Sequence, residues 1–128
     1  MKLLLRFPSY LHETPHTAEV ILETGVKMNI DRANVDPVRG EVIIDVPSAK
    51  VEHVAELFKE KGVEVRKLMK LIALDEDRCI HCGACISVCP TGVFKFDPSW
   101  NICVAEEKCI RCDVCVTACP LGALTCVD

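Results

Sequence analysis

The first 78 residues of this 128-residue chain contain no cysteine, whereas the last 50 hold all ten. No apolar run approaches the roughly 20 residues that a membrane-spanning helix needs. Leu3, Leu4 and Leu5 are too few for a signal-peptide core and are cut off by Arg6 and Pro8, so the chain reads as cytoplasmic, with no membrane partner. There is no block of Lys or Arg and the net charge is −4, which argues against a nucleic-acid partner. A glycine-rich phosphate loop is also missing, and His12, His16 and His53 form no triad with a nucleophile. No catalytic constellation is present, so no catalytic residue is assigned.

What is there divides near residue 70. Residues 1–70 carry 11 basic and 11 acidic side chains and residues 71–128 carry 4 and 8, so the whole net charge belongs to the cysteine-rich half. A chain of this length buries about two-thirds of its unfolded surface and does not need ten cysteines to stay folded. Cytosolic thiols are kept reduced, so their density points to metal.

The first half reads as α+β. Residues 2–7 predict a strand closed by Pro8 and Ser9. Thr14 and Pro15 look like the cap and first residue of a helix with Ala18, Ile21 and Leu22 on one face, stopped by Gly25. A second strand is expected over 26–35, with Met28, Ile30 and Arg32 on one face. A turn at Asp36, Pro37 and Gly40 leads to a third strand over 41–46. Ser48 can cap a second helix, which carries Val51, Val54, Ala55 and Phe58 on one face and stops at Gly62. Residues 63–68 supply a fourth strand. The order βαββαβ is that of a ferredoxin-like α+β sandwich.

The second half contains a repeat offset by 30 residues, each copy reading C-x2-C-x2-C-x3-C-P: Cys79, Cys82, Cys85, Cys89 and Pro90, then Cys109, Cys112, Cys115, Cys119 and Pro120. This is the bacterial dicluster signature, in which the fourth cysteine ligates the other cluster. On that rule Cys79, Cys82, Cys85 and Cys119 hold one [4Fe–4S] cluster, and Cys109, Cys112, Cys115 and Cys89 hold the second. Three thiolates two residues apart wrap successive corners of a cubane, and the proline is expected to keep a helix from starting too early. Zinc sites instead use pairs of C-x2-C, and a disulfide framework conflicts with a reducing compartment. With eight ligands present, neither cluster should be a three-iron variant. Each oxidised cluster with its thiolates carries about −2, which calls for a basic patch on any partner.

These runs resemble dicluster bacterial ferredoxins, and Gly92 and Gly122 after each Cys-Pro strengthen the match. Asp113 stands where the first copy has Gly83, which opens either the local backbone or the potential of that cluster to differ. Cys103 and Cys126 lie outside both runs, and two readings stay open: a resolving or persulfide-carrying thiol, or a small buried hydrophobe. Trp100, between the repeats, reads as a packing residue. His81 reads either as a group that tunes the cluster or as an exposed loop histidine.

Residues 1–70 resemble the NIL domain, a ferredoxin-like module, through Leu3-Leu4-Leu5-Arg6-Phe7, the Met28-Asn29-Ile30 stretch and the element order. The name-giving Asn-Ile-Leu is here Asn29-Ile30-Asp31. A NIL domain followed by a dicluster ferredoxin over 71–128 resembles the iron–sulfur subunits of the L-aspartate semialdehyde sulfurtransferase of methanogenic archaea. The resemblance implies two [4Fe–4S] clusters, a larger sulfurtransferase subunit as partner and a low-potential electron donor. Homocysteine would be the product. An aldehyde and sulfide yield a thiol only when two electrons are added, and the clusters would deliver them to a disulfide, persulfide or thioaldehyde on the partner. The NIL half would dock that partner, sense the product or act as a spacer. The competing reading is a general low-potential ferredoxin with a NIL amino-acid-sensing domain.

Overall fold

A computed structural model describes residues 1–11 and 13–127; His12 lies outside the described residues. The chain forms two compact units, Met1–Met69 and Lys70 onward.

In the first unit, strands β1 (Lys2–Pro8), β2 (Asn29–Val35), β3 (Arg39–Asp45) and β4 (Glu64–Leu68) form one antiparallel sheet in the order β2-β3-β1-β4. Helices α1 (His16–Thr24) and α2 (Val51–Glu60) follow the first and third strands. Leu3, Leu5, Val42 and Ile44 from the sheet meet Val20, Val54, Ala55 and Phe58 from the helices in one aliphatic core. All four residues expected on the buried face of α2 are buried.

The first helix differs from expectation. It begins at His16 and has no side-chain cap, and its buried residues are His16 and Val20, one turn apart. Ala18 and Leu22 are exposed. His16 stacks on Phe7, which sets the inward face one step away from the apolar triplet. Gly25 stops the helix in a left-handed conformation (φ 64°), with its N–H donated to Ile21. Ser48 does not cap α2 either; a 3-10 turn over Ser48–Lys50 leads into it.

The second strand starts at Asn29 and is bulged. Ile30 lies opposite Ile44 and Arg32 opposite Ile43, so Asp31 is the extra residue and Ile30 and Arg32 fall on opposite faces. The expected alternation of Met28, Ile30 and Arg32 is therefore broken. The Asp31 carboxylate instead makes a buried ion pair with Lys2 of β1.

The second unit is two short hairpins and two one-turn helices. Strand β5 (Ile72–Leu74), helix α3 (Ala84–Val88) and strand β6 (Phe94–Phe96) are repeated 30 residues on as β7 (Ile102–Val104), α4 (Val114–Ala118) and β8 (Leu124–Cys126). The strands pair between copies, β5 with β8 and β6 with β7. The registers are related by the same offset: Ile72 faces Cys126 as Ile102 faces Phe96, and Leu74 faces Leu124 as Val104 faces Phe94. The unit is thus an internal pseudo-dimer. Among the described residues, no helix is long and apolar enough to cross a membrane.

Candidate metal centre

Each cysteine run is shaped by left-handed residues set between the thiols. His81 (φ 55°) and Gly83 (φ 80°) in the first run match Arg111 (φ 59°) and Asp113 (φ 64°) in the second. Asp113 adopts nearly the backbone of Gly83 (ψ 1° against 6°), so the departure in sequence leaves the loop unchanged. The short helices α3 and α4 then carry Cys85 and Cys115, and each ends at the fourth cysteine, which is extended in both copies. Pro90 and Pro120 account for this, because a proline disfavours helical geometry in the residue before it. The proline ends a helix that precedes it, where the sequence suggested it delays one that follows.

Two cavities result. One is lined by Cys79, Cys82 and Cys85 of the first run together with Cys119 of the second. The other is lined by Cys109, Cys112 and Cys115 together with Cys89. The exchange follows from strand pairing. A strand leading into one run is bonded to the strand leaving the other, so each fourth cysteine is delivered beside the first three of its partner copy. The remaining walls include Leu74, Ile102 and Leu124 at the first cavity and Ile72, Val93 and Phe94 at the second. Among the described residues no three potential ligands close on a single ion.

Backbone amides point at four of the sulfurs in symmetric pairs. The N–H groups of His81 and Arg111 donate to Cys79 and Cys109 at 3.4 Å, and those of Val93 and Ala123 donate to Cys89 and Cys119 at 3.3 Å. Such bonds favour thiolate over thiol. The Ala123 amide, joined by other amides of the following turn, holds Cys119 below the ordinary thiol range. Burial pushes Cys89 up, but the Val93 amide, the amide and hydroxyl of Thr91 and the Gly92 amide outweigh it and hold it low. The inner thiols behave oppositely. Burial pushes Cys85 up, with repulsion from Cys79 and Cys82 adding to it. Burial, then the charges of Cys109, Cys112 and Cys89, push Cys115 up to about 11. Four thiolates gathered in so small a space require cationic iron to coexist, and the amides already facing them suit a cluster's sulfur ligands. The donor set fits a [4Fe–4S] cluster in each cavity.

Several neighbours gain a definite place. His81 is partly buried, and its Nδ1 accepts a hydrogen bond from the Ile102 N–H at 2.9 Å while lying 3.7 Å from the Cys79 sulfur. It is an anchored ring, not an exposed loop histidine, and the proton of its neutral form sits on Nε2. Trp100 is exposed and left-handed (φ 62°), edge-on to Phe96 with ring centroids 5.4 Å apart. Cys103 is also exposed, its thiol donating to the Lys95 carbonyl, so the buried-hydrophobe reading does not hold for it. Cys126 lines the second cavity and donates to the Asp113 carboxylate. Burial and that hydrogen bond push its thiol up to about 12. Sequence reasoning did not couple Cys126 to Asp113, although the 30-residue offset places Cys126 opposite Phe96 and Asp113 opposite Gly83.

Two interlocked copies, each contributing one cysteine to the other's three, define a ferredoxin of the two-cluster class. A family model described as a 4Fe-4S dicluster domain matches residues 49–93 and 78–123, and the cofactors are two [4Fe–4S] clusters. The L-aspartate semialdehyde sulfurtransferase iron-sulfur subunit of Methanosarcina acetivorans is 42% identical over 104 residues, 81% of this chain and 80% of that one. Its namesake from Methanocaldococcus jannaschii is 37% identical over 90 residues, 69% and 68% of the two chains. The chain belongs to the family of these iron–sulfur subunits. An uncharacterized ferredoxin of M. jannaschii is 36% identical over 59 residues, 44% of this chain and 95% of that one.

Proposed function

We propose that this protein is the electron-transfer subunit of a sulfurtransferase that makes homocysteine from L-aspartate semialdehyde and sulfide. The observation that carries the reading is the extent of the likeness. The match to the Methanosarcina subunit runs over 104 residues, more than the 59 residues from Lys70 to the end, so it takes in a large part of the first unit. The small ferredoxin matches over 59 residues only. A general electron carrier needs the second unit alone, whereas a dedicated subunit has a use for both.

In this reading Cys79, Cys82, Cys85 and Cys119 ligate one cluster and Cys109, Cys112, Cys115 and Cys89 the other. Each cluster, when bound, exchanges one electron, and the two supply the pair that the chemistry requires: the aldehyde, hydrogen sulfide, two electrons and two protons give the thiol and one water. The chain's own residues hold the sulfurs, donate amide hydrogen bonds to them and exclude water with aliphatic walls. A larger partner subunit holds the semialdehyde and the sulfur, and a low-potential donor refills the clusters. The first unit, with its βαββαβ order and β2-β3-β1-β4 sheet, serves as a NIL-type ferredoxin-like docking or sensing domain over residues 1–70. The compartment is the cytoplasm, where thiols stay reduced until metallated.

Anaerobic isolation of the protein from native extract, with mass spectrometry of what is retained, tests the assignment. One stoichiometric subunit that forms homocysteine is expected. Several unrelated oxidoreductases at low occupancy would make the protein a general carrier.

A further inference from the structure

His16, in the first unit, is only 7% exposed, and neither of its ring nitrogens has a hydrogen-bond partner among the described residues. The Glu19 carboxylate lies 3.9 Å from its Nδ1, beyond hydrogen-bonding distance, and is itself held by Lys61 at 3.2 Å. A buried polar group left unpaired costs stability. The ring stacks on Phe7 with centroids 6.3 Å apart and planes at 17°, a contact that a phenylalanine could make without that cost. Stacking alone therefore does not account for an imidazole at this position.

The ring lines a cavity at the start of α1, walled by Phe7 of β1, Leu11, Val35 of β2 and Val42 of β3. Thr17 and Ala18, in the first turn of the helix, line it as well. The His16 N–H is bonded to the Thr14 carbonyl at 2.9 Å and the Glu19 N–H to the Pro15 carbonyl at 3.0 Å, and no side chain caps the helix. The amides of Thr17 and Ala18 lie between these two and have no acceptor within the helix or elsewhere among the described residues. The start of a helix favours negative charge. Among the described residues, His16 is the one lining side chain that can carry a charge.

We infer that this cavity binds a small organic acid, its carboxylate accepting from the Thr17 and Ala18 amides and the His16 ring, its short apolar tail against Phe7, Leu11, Val35 and Val42. A carboxylate only accepts, which is what a set of unpaired donors requires, and a neutral imidazole keeps one N–H to donate in either tautomer. The apolar walls select an acid with a hydrocarbon tail over inorganic phosphate. The site belongs wholly to the first unit, so it stands apart from the cluster ligands and the partner proposed above.

The test is a calorimetric titration of the iron-loaded full chain with hexanoate, with hexanol and inorganic phosphate as probes that carry the tail or the charge alone. Saturable binding of hexanoate is expected, with the other two at least about tenfold weaker. His16→Phe keeps the stack and removes both ring nitrogens. It should weaken hexanoate about tenfold without lowering the melting temperature, and His16→Gln, which retains a donor, should recover part of the affinity. In the native protein, hexanoate should move the amide NMR signals of Thr17 and Ala18 more than any in α2, a readout that does not depend on the variants folding. No saturable binding, phosphate or hexanol binding as well as hexanoate, an affinity that ignores H16F, or largest shifts away from the start of α1 would each overturn the inference.

Discussion

Gly83 and Asp31 show how single positions carry more than their residue type announces. Gly83 has both a positive φ of 80° and the Phe96 ring against its missing side chain. Gly83→Ala is expected to destabilise the second unit by about 1–3 kcal/mol, combining left-handed strain with overpacking, and to lower its retention of iron. Thermal melting with iron analysis measures both, and Asp113→Gly, made at the equivalent position with no such contact, should retain full iron. Asp31 forms an ion pair with Lys2 in which both side chains are no more than about a tenth exposed. Asp31→Ala leaves the ammonium buried alone and should cost about 3–5 kcal/mol in urea unfolding of the first unit. The double change Lys2→Met with Asp31→Leu should recover most of that loss. None of this was legible in the sequence, where Asp31 falls on the strand face opposite Met28, Ile30 and Arg32. The bulge sets it beside a lysine 29 positions away in sequence.

At the scale of elements, legibility followed the strength of the local signal. The second helix could be read outright because Val51, Val54, Ala55 and Phe58 repeat at helical spacing among charged residues, and all four are buried. The first helix was found, but its face was misjudged. Its inward positions are His16 and Val20, and a histidine scores as polar until Phe7 is seen stacked on it. The three-residue strands of the second unit carry too few residues for periodicity, yet they decide which cysteines meet, since β5 pairs with β8 and β6 with β7. The crossed cavities give a direct prediction: Cys79→Ser should damage one cluster and Cys89→Ser the other, although both residues belong to the first run. EPR of the two variants distinguishes this from ligation within each run, in which both would lose the same cluster.

Over the whole molecule, the two units differ in what holds them. The first has a continuous aliphatic core, whereas the second closes around two cavities whose inner thiols are pushed away from ionisation by burial. Anaerobic removal of iron with a chelator should therefore unfold residues 70–128 and leave the amides of β1 and β3 protected from hydrogen exchange. The two-part organisation and the cluster type were legible from cysteine placement alone, because the repeated spacing has few competing explanations. The function itself is tested most directly by stoichiometry. The fully reduced protein, with no other donor, would be mixed anaerobically with its partner subunit, L-aspartate semialdehyde and sulfide. The expected result is one homocysteine for each protein whose two clusters are reoxidised. Homocysteine formed at the same yield without the protein, or clusters that stay reduced while product accumulates, would contradict its role as the source of the electron pair.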